Sequence, residues 1–169
     1  MELNELLLEL FGRVDEEVHT AIDGLDVDAL TTSPAEGANP IGWLVWHLIR
    51  VEDDHMADIL DSDQVWVTGD WGSRFGVASD PSNTGWGHSP SDVTTVRPES
   101  GQALLDYHAA VSAPTRRFLQ SVTPKDLDRV VDTRWNPPVT LGVRLVSIAD
   151  DEIQHAGQAN YIRGILDRR

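Results

Sequence analysis

Apolar residues return every three or four positions in four separate stretches of the chain, the spacing that brings side chains onto one face of an α-helix. Over residues 2–22, Leu3, Leu6, Leu7, Leu10, Phe11, Val14 and Val18 form one stripe with Glu and Asp opposite, predicting a first helix. A second is expected from Pro40 to about Leu60, with Asn39 as N-cap, Pro40 as a preset first residue, and Leu44, Leu48 and Val51 facing inward. The third runs from Pro98-Glu99 to about Val122 with Leu104, Tyr107, His108, Val111, Phe118 and Leu119 on its buried side. Pro114 falls inside it and should bend or interrupt it. The fourth begins at the N-cap Thr140 and extends to about Asp167, its stripe made by Leu141, Leu145, Ile148, Ala159, Ile162 and Leu166.

The connections differ in kind. Residues 23–38 carry Gly24, Pro34 and Gly37, a link with room for one helical turn after Ser33-Pro34. Residues 61–98 are rich in Gly and Pro and hold Trp66, Trp71 and Trp86, with Ser89-Pro90-Ser91-Asp92 as a capped helical turn. A linker this long inside one domain is expected either to be functional or to span a distance. If the second and third helices run parallel, it must travel back along the bundle, roughly 30 Å for a 20-residue helix. Its aromatic residues would then wall one end. Residues 123–138 have Leu127, Arg129, Val131, Thr133 and Trp135 on one side of an extended stretch, stopped by Asn136-Pro137-Pro138.

These 169 residues suit a single domain able to bury a core, and 40% hydrophobic with 24% charged residues is an ordinary globular balance. Charge adds an exclusion: 28 acidic residues against 13 basic, a formal −15, argue against nucleic acid or an anionic membrane surface as partner. No apolar run is long enough to span a bilayer and Met1-Glu2-Leu3-Asn4-Glu5 lacks a basic secretory start, so a cytoplasmic protein is expected. With no cysteine, any sulfur chemistry must draw its thiol from outside.

The candidate chemistry lies inside the stripes. Asp151 and His155 are four residues apart, about 40° around a helix, and can aim at one point. His47 occupies the inward face of the second helix. A two-histidine, one-carboxylate metal site is the proposal these residues invite, although a lone histidine on an apolar face is more often a hydrogen-bonded core residue. His55 and Asp54 could face the same cavity, and Glu152 could replace Asp151 if the helix were turned by one residue. His19, His88 and His108 read as surface or structural, with His88 the one best placed to touch a ligand.

The string Ile41-Gly42-Trp43-Leu44-Val45-Trp46-His47-Leu48-Ile49-Arg50-Val51-Glu52-Asp53, with the distant Asp151-Glu152-Ile153-Gln154-His155-Ala156-Gly157-Gln158, resembles the DinB superfamily, and within it the branch of mycothiol-dependent transferases and maleylpyruvate isomerase-like proteins. The crossover pieces Trp71-Gly72-Ser73-Arg74-Phe75-Gly76 and Thr84-Gly85-Trp86-Gly87-His88-Ser89 share in the resemblance. It implies an all-α, up-down-down-up four-helix bundle with the long crossover between helices two and three. It also implies one metal ligand on the second helix and two on the fourth, mapping onto His47, Asp151 and His155. Many relatives have histidine where Asp151 stands, and the isomerase-like members have glutamate, so an acidic residue leans toward the thiol-dependent branch.

The expected function is a metal-assisted, low-molecular-weight-thiol-dependent S-transferase or isomerase. A divalent ion, zinc first and nickel or iron next, would favour the thiolate of a thiol such as mycothiol, which then attacks an electrophile. Trp71, Trp86 and His88 would surround the substrates, and Arg144 and Arg163 are candidates for anchoring a carboxylate, with an exposed structural role as their plainer reading. The rivals are a metal-dependent hydrolase with Glu152 or Asp54 as base, and a non-catalytic metal-binding module serving stress or interaction. Oligomeric state is not legible in the sequence; a homodimer is one option, because bundles of this type often pair through a helical face.

Overall fold

The computed structural model describes residues 1–168, mostly as helix. In chain order these are α1 (Leu3–Ile22), α2 (Val27–Thr31), α3 (Ile41–Leu60), α4 (Val65–Thr68), α5 (Trp71–Phe75), α6 (Pro90–Val93), α7 (Gly101–Leu119) and α8 (Leu141–Leu166). The long helices α1, α3, α7 and α8 form the bundle.

Two apolar clusters stack along its axis. One joins Val14, Val18 and Ile22 of α1 to Leu44 and Leu48 of α3, Leu104 and Tyr107 of α7, and Ala159 and Ile162 of α8. The other joins Phe11, Met56, Ile59, Leu119, Leu141 and Leu145. The first half of α3 therefore packs with the first half of α7 but with the second halves of α1 and α8. That ordering is up-down-down-up, with α3 parallel to α7 and the crossover between them. A polar layer, Glu52, Thr115 and Glu152, separates the two clusters along the sequence of each helix.

Helix ends follow local chemistry, with some differences from expectation. Thr140 caps α8 by accepting from the Val143 amide, as its sequence predicts. Pro40 is itself the N-cap of α3, one residue later than expected. Ser100 caps α7, and α7 passes through Pro114 without interruption. The extra turn in the first link precedes Ser33 rather than following it, because the Asp26 carboxylate accepts from the Ala29 amide and starts α2 there. After Pro34 only a turn forms, closed by Ala38 N to Ala35 O. Leu6, assigned to the apolar stripe of α1, is 53% exposed, since Leu3, Leu7 and Leu10 are the residues this end of α1 turns to the second cluster.

The crossover contains three short helices, and the expected turn at Ser89 is α6, where Ser89 and Asp92 cap each other reciprocally. Its ends are pinned: Arg97 and Glu99 amides donate to the carbonyls of Phe75 and Arg74, both at 2.8 Å. Trp66 is wholly buried against Trp46, Phe75 and Tyr107. Residues 123–138 hold a 3₁₀ turn (Pro124–Asp126) and β1 (Val130–Asp132), which pairs antiparallel with β2 (Val139–Thr140) to form a short hairpin. Among the described residues no helix is long and apolar enough to cross a membrane.

Candidate metal centre

His47 sits one-third of the way along α3, where the run from Ile41 to Arg50 is buried on every side. The helix can be enclosed all round there because α8 and α7 flank it and the crossover covers its remaining face. Asp151 and His155 lie one turn apart on α8, at the seam facing α3. His47 Nε2 and His155 Nε2 are each 3.8 Å from Oδ2 of Asp151, and one donor atom from each of the three lies within 4.8 Å of the others. Donors bonded to a tetrahedral ion at about 2.0–2.2 Å stand roughly 3.3 Å apart, so small rotations about the side chains close the set on a common ion. His47 is enclosed, whereas Asp151 and His155 keep 23% and 20% of their side-chain surface, which makes theirs the open side.

The tautomers are set by what lies behind the rings. His47 Nδ1 is 2.5 Å from the carbonyl of Thr84. A carbonyl can only accept, so Nδ1 carries the proton and Nε2 presents its lone pair toward Asp151. His155 Nδ1 donates to Oε1 of Gln158 at 2.9 Å, with the same result. The rings meet edge to face, centroids 4.9 Å apart, and Trp43 stacks on His47 at 4.8 Å. Burial, the largest cause, with the nearby imidazoles of His155 and His88, brings the His47 pKa down to about 4, against the Thr84 hydrogen bond that raises it. The imidazole is therefore neutral at physiological pH, the form in which Nε2 can donate a lone pair. Burial also raises Asp151, opposed by His155, and its Oδ1 is enclosed without a hydrogen-bond partner. A carboxylate with one enclosed, unpartnered oxygen, Oδ1, and the other, Oδ2, facing two imidazole lone pairs fits a cation.

The other expected residues lie elsewhere or play other parts. Glu152 is 1% exposed and turned into the bundle toward Glu52, so it does not replace Asp151. Asp54 accepts from Gln64 Nε2, and His55 lies against Arg144, so neither joins the three. Arg144 is a buried strut rather than an exposed residue or a carboxylate anchor: Nη2 donates to Asp132 of β1 at 2.7 Å. Arg163 is engaged with Asp167 and the carbonyl of Asp23. Trp71 packs on Tyr107, separated from Trp46 by the rings of Tyr107 and Trp66. His88 stacks on Trp46, accepts from Trp43 Nε1 at Nδ1 and donates to Asn83 Oδ1 from Nε2, so it backs the site with both nitrogens used. Trp86 stands 87% exposed between Gly85 and Gly87.

Three contributors were not singled out by sequence. Thr84 acts through its backbone carbonyl, which no side-chain pattern reveals. Gly85 brings the chain so close to His47 that a Cβ would stand 2.8 Å from Nδ1. Arg50 did carry a signal, a lone cation in an apolar helical run three residues after His47. A groove of about 750 Å³ also runs along α8, lined by Leu44, Ile153, Gln158 and Ile162, on the Nδ1 side of His155.

Comparison with known proteins follows the same lines. A family model described as the DinB superfamily matches residues 10–159. A crystal structure described as a conserved protein from Enterococcus faecalis is 32% identical, with a TM-score of 0.89 over 100% of this chain and 99% of that one. A DinB-like protein from Bacillus cereus shares the fold at 19% identity, with a TM-score of 0.63 over 96% of this chain and 92% of its own. No curated protein matches the chain.

Proposed function

Because the chain belongs to the DinB superfamily and gathers two imidazoles and a carboxylate at one point, we propose that it is a metal-dependent transferase or isomerase using a low-molecular-weight thiol of the mycothiol type. His47, Asp151 and His155 hold the ion. Two nitrogen donors and one oxygen donor suit zinc first, then nickel or ferrous iron. A divalent ion held by three side chains supplies Lewis acidity at an open position, where it lowers the pKa of a thiol that reaches it.

The protein's own residues bind and orient. Thr84 and Gln158 keep both Nε2 atoms unprotonated, Asp151 provides one balancing charge, and the indole of Trp43 shields His47 from water. Trp86, exposed beside the backing loop, is assigned to the substrate side.

The observation that carries the thiol reading is that the acid–base residues nearest to hand are committed elsewhere. Glu152 faces Glu52, Asp54 faces Gln64, and His88 has no free nitrogen. A thiol begins at a pKa of about 8.5 and needs only a modest shift and no protein base, whereas water begins at about 15.7. The chain has no cysteine, so the thiol is a separate molecule.

The test pairs elemental analysis of the purified protein and a His155→Ala variant with turnover assays using mycothiol and an electrophile, with and without added zinc. The expected result is bound metal in the wild type, its loss in the variant, and product formation that needs both thiol and metal. Equal metal content in the two proteins removes His155 from the site. Ester cleavage without thiol favours the hydrolase, and tight metal binding with no turnover favours a binding module.

A further inference from the structure

Arg50 follows His47 by three residues in α3 and is wholly enclosed. Its guanidinium is spent largely on the crossover. Nε donates to the carbonyl of Asn83 at 3.1 Å, and Nη2 to the carbonyl of Pro81 at 3.0 Å and to Oε1 of Gln64 at 2.8 Å. Nη1 donates to Oδ2 of Asp53 and to the Tyr107 hydroxyl, both at 3.1 Å. The Tyr107 hydroxyl donates its own hydrogen bond to Oδ2 of Asp53 at 2.7 Å, so its oxygen is free to accept from Arg50. The fixed fork of five N–H groups on an arginine thus meets five acceptors.

Two routes lead from this fork to the metal centre. Along the backbone, Asn83 precedes Thr84, whose carbonyl holds Nδ1 of His47. Through side chains, Asn83 Oδ1 accepts from His88, His88 accepts from Trp43, and Trp43 stacks on His47. Both begin at the carbonyl segment that Arg50 grips.

We propose that Arg50 is a positioning residue for the metal centre: by gripping the carbonyls of Pro81 and Asn83 it presses the Thr84 carbonyl against Nδ1 of His47, keeping Nε2 unprotonated and aimed at Asp151. This rests on His47 being a ligand, as argued above. An arginine that merely fastened the crossover would alter stability and leave the tautomer of His47 alone.

Arg50→Lys separates the two roles. It keeps a positive charge beside Asp53, but three donors on a single nitrogen cannot span the carbonyls, Gln64 and Tyr107 together. In the full-length protein at neutral pH, the nitrogen shifts of His47 should move from a protonated Nδ1 to a mixture of tautomers. Zinc should bind about tenfold or more weakly, the usual loss when an outer partner of a ligating histidine is removed. Tyr107→Phe is the control, removing a partner of the same guanidinium on the side away from the loop. It should lower stability while leaving the nitrogen shifts and the zinc affinity at their wild-type values. If Arg50→Lys does not fold, Gln64→Leu at the edge of the network carries the test, with a smaller change in the same direction in both the nitrogen shifts and the zinc affinity.

Wild-type nitrogen shifts and zinc affinity in Arg50→Lys, or in Gln64→Leu where it stands in, overturn the proposal. Equal changes in Tyr107→Phe overturn it as well. A wild-type protein that takes up no zinc defeats the metal-centre reading, and the nitrogen shifts then decide the role of Arg50 alone.

Discussion

Glu52 of α3 and Glu152 of α8 face each other in the middle of the bundle, each 1% exposed, with Oε1 of the first and Oε2 of the second lacking any hydrogen-bond partner. Burial pushes Glu52 up to about 7, against lowering contacts from Thr115 and Glu152. Burial and the Glu52 charge push Glu152 well above the usual range. The folded protein therefore holds protons here that the unfolded chain releases above about 4.5. Stability from this pair is full below that pH and is lost as pH rises through about 7.

Glu52→Gln keeps the hydrogen-bonding shape and removes one charge. It should stabilise the protein by on the order of 1–3 kcal/mol at pH about 8.5 and change it little near pH 4. Denaturant titrations at the two pH values measure the difference. A stability gain that is the same at both would show that the pair is not the source of the slope.

Gly85→Ala tests how closely the crossover must approach His47. Gly85 has φ of +92°, and an added Cβ would lie 2.8 Å from His47 Nδ1 and 3.0 Å from the rings of Trp43 and Trp46. The loop must retreat, carrying the Thr84 carbonyl with it. A stability cost of about 1–3 kcal/mol is expected from the strained backbone, together with zinc affinity lower by about tenfold. Thermal melts and a chelator competition read the two effects separately, and unchanged affinity would mean that the loop can yield without moving His47.

The four bundle helices and the Asp151–His155 pair were legible because each is encoded by spacing within one segment: periodic leucines, the Thr140 cap, an acid four residues from an imidazole. His47, which the fold brings to that pair, was marked by its place on the apolar face of its own helix. The parts that were not legible depend on how distant segments meet. Arg144 appeared exposed because nothing in the local pattern says that β1 returns to set Asp132 beside it. Glu152 competed with Asp151 until Glu52, on another helix, claimed it. Thr84 contributes a carbonyl, a group common to all residues, and only the path of the crossover gives it a role.

Arg144 and Asp132 offer a prediction in which stability and function part. Asp132 is held near pKa 2, chiefly by hydrogen bonds from Arg134, and its Oδ2 accepts from the buried Arg144 at 2.7 Å. Removing it leaves a largely enclosed guanidinium beside His55 without its counter-charge. Asp132→Ala should lower stability, because Arg144 is then left enclosed without its counter-charge. Zinc affinity should be unchanged, since the strut and the trio of His47, Asp151 and His155 engage different partners. Loss of metal binding in a protein that remains folded would place Arg144 in the site after all.

His108 carries the prediction for the acid side. It is 4% exposed on α7, with Nε2 3.4 Å from Oδ1 of Asp15, which also pairs with Arg116. Burial, with a smaller effect from His19, lowers its pKa to about 4 from 6.5. In the folded protein it stays neutral over a range in which the unfolded chain takes up a proton. Stability from this group is therefore present above about 6.5 and lost as pH falls toward about 4. The Glu52 pair slopes the other way over much of that window, so the wild-type curve alone hides the histidine. Comparing wild type with His108→Gln cancels the glutamates. The variant should be less stable at neutral pH, yet its stability should fall less steeply on acidification, by up to about one proton, or about 1.4 kcal/mol per pH unit. Parallel curves between pH about 6.5 and 4 would mean that His108 is protonated in the fold, its charge held by Asp15 rather than expelled by burial.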